Sequence, residues 1–186
     1  MLSPDPEPDR ASPTGGSRAI RDELLPHLDA AYNLARWLSR SDQDAQDIVQ
    51  ESFLRALRFA DQCRQESVRP WLLQIVRNTC HTKLARDRAK TSPAEMLDEV
   101  QASDATAPDR ILQRRQDVGA VRSAIELLPE EFREVIVLRE IEGLAYKEIA
   151  QITAVPIGTV MSRLSRGRDR LRVLLADYRA EVSDEL

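Results

Sequence analysis

The chain has 186 residues, a formal net charge of −4 and 42% hydrophobic residues, which allows one or two small domains and excludes a wholly disordered polymer. Aromatics make up only 4% and glycines number six, while Leu, Ala, Arg, Asp and Glu are plentiful, so helices are favoured over sheets. No apolar run approaches the roughly 20 residues of a membrane span, and the N-terminus lacks the apolar stretch of a secretory signal. With only Cys63 and Cys80, the expectation is a reduced cytoplasmic protein with no membrane insertion.

Residues 1–17, rich in Pro, Ser, Gly and Asp, read as a disordered tail. Over 18–90 the pattern is helical. Leu24, Leu25, Leu28, Ala31, Tyr32, Ala35 and Leu38 recur at three-to-four spacing. Ser41 or Asp42 can cap a second helix carrying Ala45, Ile48, Val49, Phe53, Leu54 and Leu57. A polar segment from Ala60 to Arg69 interrupts, and Pro70 then suits the first turn of a helix through Trp71, Leu72, Ile75, Val76 and Leu84.

Residues 91–112 change character. Between Thr91 and Arg110 there are five carboxylates against one arginine, with two prolines, so the stretch reads as a flexible acidic linker that could hold a short helix around Pro93 to Val100. Helical periodicity resumes near Ile111 and defines a second domain over 113–180. The segment EVIVLREI has β-branched residues but sits between helix-favouring stretches. The fold class is therefore all-α: two small helical domains joined by a flexible acidic linker, their relative arrangement left open.

The acidic average hides segregation. Ile75 to Lys90 holds five cations against Asp87, and Pro156 to Leu175 holds five arginines against Asp169. Two basic stretches in an acidic chain are the footprint of a local polyanion contact, or else two solvated helix faces; charge alone does not decide.

Leu144 to Leu175 has the pattern of a helix-turn-helix. Ile149 and the small Ala150 lie in its first helix, Val155 is an apolar plug in the turn, and Pro156 suits the start of the second helix. Val160 and Leu164, at i and i+4, would pack that helix back onto the first. Thr159 stands in its opening turns. Ser162, Arg163, Arg166 and Arg170 form one stripe, flanked by Arg168 and Arg172. Such a helix fits the major groove, its early residues against base edges and its later arginines against phosphates. The competing reading is an Arg-rich surface or partner-binding helix.

These segments resemble the extracytoplasmic-function group of the sigma-70 superfamily of RNA polymerase sigma factors. LLPEEFREVIVLREIEGLAYKEIAQITAVPIGTVMSRLSRGRDRLR looks like family region 4, SDQDAQDIVQESFLRALR like region 2.2, and WLLQIVRNTCHTKLARDR like the end of region 2.3 running into 2.4. The resemblance implies a protein that is not an enzyme and that binds core RNA polymerase and promoter DNA. Region 2.2 implies Asp47, Gln50, Glu51, Leu54 and Arg55 against the clamp helices of the largest polymerase subunit. Regions 2.3 and 2.4 imply Asn78 and Thr82 at an unstacked minus-10 base, with Arg77, Lys83, Arg86 and Arg88 on the backbone. Region 4 implies Ser162, Arg163 and Arg166 at the minus-35 element, with Thr159, Arg168 and Arg170 beside them, and docking of the same domain on the flap of the second-largest subunit. An anti-sigma factor is a further possible partner.

Four positions depart from the family pattern. Ala154 stands where Gly is common in the turn, Thr153 where a large apolar residue is usual, Met161 where a basic residue is common, and Val68 where a loop Phe is frequent. No catalytic constellation, metal set or cofactor motif is expected. His27 and His81 are far apart, Cys80 and His81 are adjacent rather than spaced for zinc, and no Gly-rich phosphate loop occurs. Cys63 and Cys80 could form a redox pair, though idle thiols are the plainer reading. Two other classes compete: a stand-alone helix-turn-helix regulator, and a helical interaction module with no DNA role.

Overall fold

The computed structural model of the chain describes residues 16–63, 68–90 and 109–184. Among them every regular element is helical: α1 Gly16–Leu24, α2 Leu28–Ser39, α3 Asp42–Arg58, α4 Val68–Lys90, α5 Asp109–Glu126, α6 Glu130–Ile136, α7 Tyr146–Thr153 and α8 Ile157–Asp184. The linker over 91–108, its suggested short helix, and residues 1–15 lie outside the described residues. Two expected boundaries move. Helix α1 begins at Gly16, inside the stretch read as tail, and α5 begins at Asp109, inside the stretch read as linker.

The N-terminal unit is a bundle of α2, α3 and α4, with α1 against it. Helix α2 buries Ala31, Leu34, Ala35 and Leu38, which share one face at i, i+3, i+4 and i+7. The chain leaves α2 through Arg40 in the left-handed conformation (φ 60°). Ser41 then caps α3, its hydroxyl accepting from the Asp44 N–H at 3.2 Å. Leu72, Leu73 and Val76 of α4 close the core against Ile48 of α3. Each such fully buried side chain contributes roughly 1.5–3 kcal/mol over leaving it in water. Val68, expected in a loop, sits in the first turn of α4 and is buried.

The C-terminal unit packs α5, α6 and α7 against the long α8. Val160 and Leu164 are buried as the helix-turn-helix pattern requires. Gly167, one turn on, lets α8 approach α6 closely: a Cβ there would meet the Ile136 side chain at 3.0 Å. Helix α6 continues into a π-helical turn, Val137–Ile141, and Gly143 (φ 69°) ends it. The β-branched segment is thus helical, with Val135, Ile136, Val137 and Leu138 all buried.

The two units pack on each other, α4 against α7 and α2 against α6, an arrangement the sequence left open. The buried apolar residues of both units belong to one cluster, and polar links add to it. Arg77 of α4 donates from Nε to Glu134 of α6 at 2.5 Å, and Arg69 donates to Glu142 Oε2 at 2.7 Å. Asn33 also donates to Glu142, at 3.2 Å, and Gln74 to the Gln151 carbonyl, at 3.2 Å. The Arg133 guanidinium is buried between Leu128 and Trp37, donating to both carbonyls, and burial depresses its pKa to about 10. It therefore remains charged at neutral pH.

Candidate nucleic-acid interface

The helix-turn-helix is α7, a turn at Ala154–Pro156, and α8. Ala154 is left-handed, with φ 54° and ψ 38°, so the residue where Gly is common pays the steric cost of its Cβ. Thr153 is buried, and its hydroxyl is satisfied by donating to the Ile149 carbonyl at 2.7 Å. The Pro156 carbonyl accepts from the Thr159 and Val160 N–H groups and opens α8.

The outward face of α8 carries Met161, Ser162 and Arg166, all exposed. Ser162 donates to the Thr159 carbonyl at 3.0 Å, and Thr159 is half-buried. The predicted stripe does not stand free along its whole length. Arg163 leans onto α6 and pairs with Glu131 at 3.1 Å, while Arg170 lies over the Phe132 ring, 5.1 Å from its centroid. Arg168 falls on the opposite flank, where Glu140 holds it at 2.7 Å and keeps its charge more firmly than usual. Arg172 pairs with Asp169 on its own helix.

Helix α4 divides its expected contact residues among three faces. Asn78, Thr82 and Arg86 are exposed, and the Thr82 hydroxyl donates to the Asn78 carbonyl at 2.8 Å. Lys83 turns onto α3, between Asp44 at 2.6 Å and Asp47 at 3.0 Å, and these carboxylates raise its pKa. Arg77 and Arg88 face α6: Arg77 meets Glu134, and Arg88 reaches Glu130 at 3.4 Å.

On α3, Asp47, Gln50, Glu51 and Leu54 share one outward face, all exposed, and Arg55 pairs with Glu51 at 2.7 Å. Leu54 is 54% exposed, so it is not a core residue, and Phe59 beyond the helix end is also exposed. An apolar side chain left in water within a polar stripe is the composition of a partner surface. Asp47 has a second occupation as a Lys83 partner.

Sequence reasoning passed over Glu130, Glu134 and Glu142. The side chains of Glu134 and Glu142 are only 3% and 6% exposed, because their partners come from the other unit. No local pattern marks them, since an acid amid a helix reads as solvated surface. Cys80 is buried and its pKa is pushed up to about 12, mainly by desolvation. Among the described residues no cluster of three or more His, Cys, Asp or Glu is placed to hold a metal, and no helix is long and apolar enough to cross a membrane.

Residues 25–90 match the family described as sigma-70 region 2, and residues 119–171 match sigma-70, region 4. The chain belongs to the sigma-70 family, in its extracytoplasmic-function group. It is 37% identical over 166 residues to the ECF RNA polymerase sigma factor SigE of Mycolicibacterium smegmatis, a match covering 87% of this chain and 64% of that relative. It is 36% identical to the RNA polymerase sigma-H factor of Pseudomonas aeruginosa, covering 84% of this chain and 86% of the relative. Among solved structures it resembles the sigma factor RpoE of Bartonella quintana in complex with the anti-sigma factor NepR. That match has a TM-score of 0.71 and 29% identity, and covers 86% of this chain and 98% of the other. A span of that length takes in both helical units. The region 2 match takes in α2 to α4, and the region 4 match runs from within α5 to within α8.

Proposed function

We propose that this sigma-70 family member joins core RNA polymerase and directs it to promoters by reading a minus-10 element with α4 and a minus-35 element with α8. The observation that carries the reading is the presence of both sigma regions, in order, on one chain, with an outward face on each candidate contact helix. A stand-alone helix-turn-helix regulator has no use for a region 2 unit. All nucleotide chemistry belongs to the polymerase.

The division of labour follows from side-chain chemistry. Leu54, with Asp47, Gln50, Glu51 and Arg55 around it, supplies an apolar anchor in a polar rim for the clamp helices of the largest subunit. Asn78 offers an amide donor and acceptor to an unstacked base, and Arg86 a charge for the neighbouring phosphate. Unstacking costs a few kcal/mol, so these contacts must return about that much. Ser162 and Arg166 face base edges in the major groove; Arg163, Arg168 and Arg170 flank them, and each must exchange an internal partner for a phosphate to contribute. Region 4 also docks on the flap of the second-largest subunit. Because the Bartonella relative was solved with an anti-sigma factor, such a protein is a candidate regulator of this chain as well.

Reconstitution with core polymerase and genome-wide selection of transcribed promoters tests the whole reading; failure to bind core or to start transcripts on any template removes it. Asn78→Ala should impair promoter opening more than polymerase binding, measured by permanganate reactivity and by core affinity. Equal loss of both would point instead to a damaged fold.

A further inference from the structure

The apolar packing of α8 is completed by Val160 and Leu164, both buried. Two further large apolar residues in its first two turns are left in water. Ile157 is 45% exposed and Met161 53% exposed, and at i and i+4 they share one flank of the helix. Met161 immediately precedes the exposed Ser162. It also borders a shallow groove beside the start of α7, lined besides by Tyr146, Leu164, Ser165 and Arg168. The position is one where the family commonly carries a basic residue.

We propose that Met161 is a specificity-determining residue of the minus-35 surface, seating the C5-methyl group of a thymine where a basic side chain would seek a guanine. The proposal rests on the reading of α8 as the minus-35 helix and deepens it by naming one base.

Three observations carry it. First, Met161 has no packing role in the described structure, so its apolar surface is available to a ligand and gains by leaving water. Second, its surroundings select the ligand. Arg163, Arg166 and Arg168 follow within two turns, and a polyanion drawn to them brings base edges over the opening turns of the helix. An apolar protein partner has no use for that many cations around one methionine. Third, the chemistry selects the base. A thioether carries no hydrogen-bond donor and cannot satisfy guanine O6 and N7, the acceptors that Arg and Lys bind. The apolar group on a major-groove edge is the thymine methyl. An unbranched, polarisable side chain with three rotatable bonds can settle against it.

The test uses holoenzyme reconstituted from the full chain and core polymerase. The probe is duplex promoter DNA selected from a pool randomised over the minus-35 element. Each thymine of the selected element is replaced in turn by deoxyuridine, which removes the methyl and keeps charge and hydrogen-bonding groups. Replacement at one position should weaken binding about fourfold in filter-binding titrations, the worth of one buried methyl-sized group. Met161→Ala should bind the thymine and uracil forms of that duplex equally, whereas Met161→Leu should retain most of the difference. A repeated selection with Met161→Arg should move the preference at that position to guanine. A selected element that tolerates uracil throughout, or a uracil penalty that persists in Met161→Ala, overturns the proposal and leaves α8 as the minus-35 reader. Selection that returns no preferred minus-35 sequence removes the reading of α8 itself, and the proposal with it. Weaker core polymerase binding by Met161→Ala, with the uracil penalty intact, overturns the proposal in favour of a polymerase contact.

Discussion

Residues 75–90 of α4 and 157–175 of α8 each carry five cations against one carboxylate, yet the structure disposes of those charges differently. On α8 the partners Glu131, Glu140 and Phe132 belong to the same unit as the arginines they hold. On α4 the partners of Arg77 and Arg88 belong to the other unit. The state of α8 is therefore indifferent to how the two regions sit, whereas that of α4 depends on it. Equal basic content does not make equal surfaces; what matters is whether the neutralising group can leave by a rigid-body movement or only by side-chain exchange.

The sharpest way to break this comparison is Arg163→Ala with Arg166→Ala. Transcription from minus-35-dependent templates should fall by at least about tenfold, and duplex binding by the free chain should fall in parallel, because α8 is equally available in both settings. A loss confined to the holoenzyme would mean that the packing of the two units masks α8 in the free chain. Thermal stability should change little, since the Arg163–Glu131 pair is partly exposed and such pairs contribute under about 1 kcal/mol.

Next in size is Ala154→Gly. Relieving the left-handed Cβ should stabilise region 4 by about 1 kcal/mol in a denaturant titration, leaving promoter choice unaltered. The smallest effect belongs to Glu131→Gln. Freeing Arg163 within its own unit should tighten minus-35 duplex binding by less than about 1 kcal/mol, and equally with and without polymerase in gel-shift titrations.

Much of each unit was legible in the chain because its determinants are local. The three-to-four spacing of Ala31, Leu34, Ala35 and Leu38 describes a buried face, and the Ile149 to Leu164 pattern describes a helix-turn-helix, whatever else the protein does. Outward residues such as Leu54, Asn78, Ser162 and Arg166 followed once the families were in view. The closure of the units was not legible. Arg77 and Glu134 are 57 residues apart and Arg69 and Glu142 73 apart, each an ordinary charged residue on an ordinary helix. Periodicity reports which face is apolar, and it is silent on which polar face meets another. For the same reason the arginine stripe looked continuous: spacing put Arg163 and Arg170 in line with Arg166, but only the position of α6 shows that two of them are already engaged.

Gly167 has a consequence for how readily this reader could acquire new targets. With no side chain separating α8 from Ile136, the two helices turn as one body, and the bases presented to Ser162 and Arg166 are fixed by that crossing. Swapping those two residues can retune individual letters of the recognised site. Adding even a methyl at 167 would press on the Ile136 side chain at that crossing and so bear on both letters together.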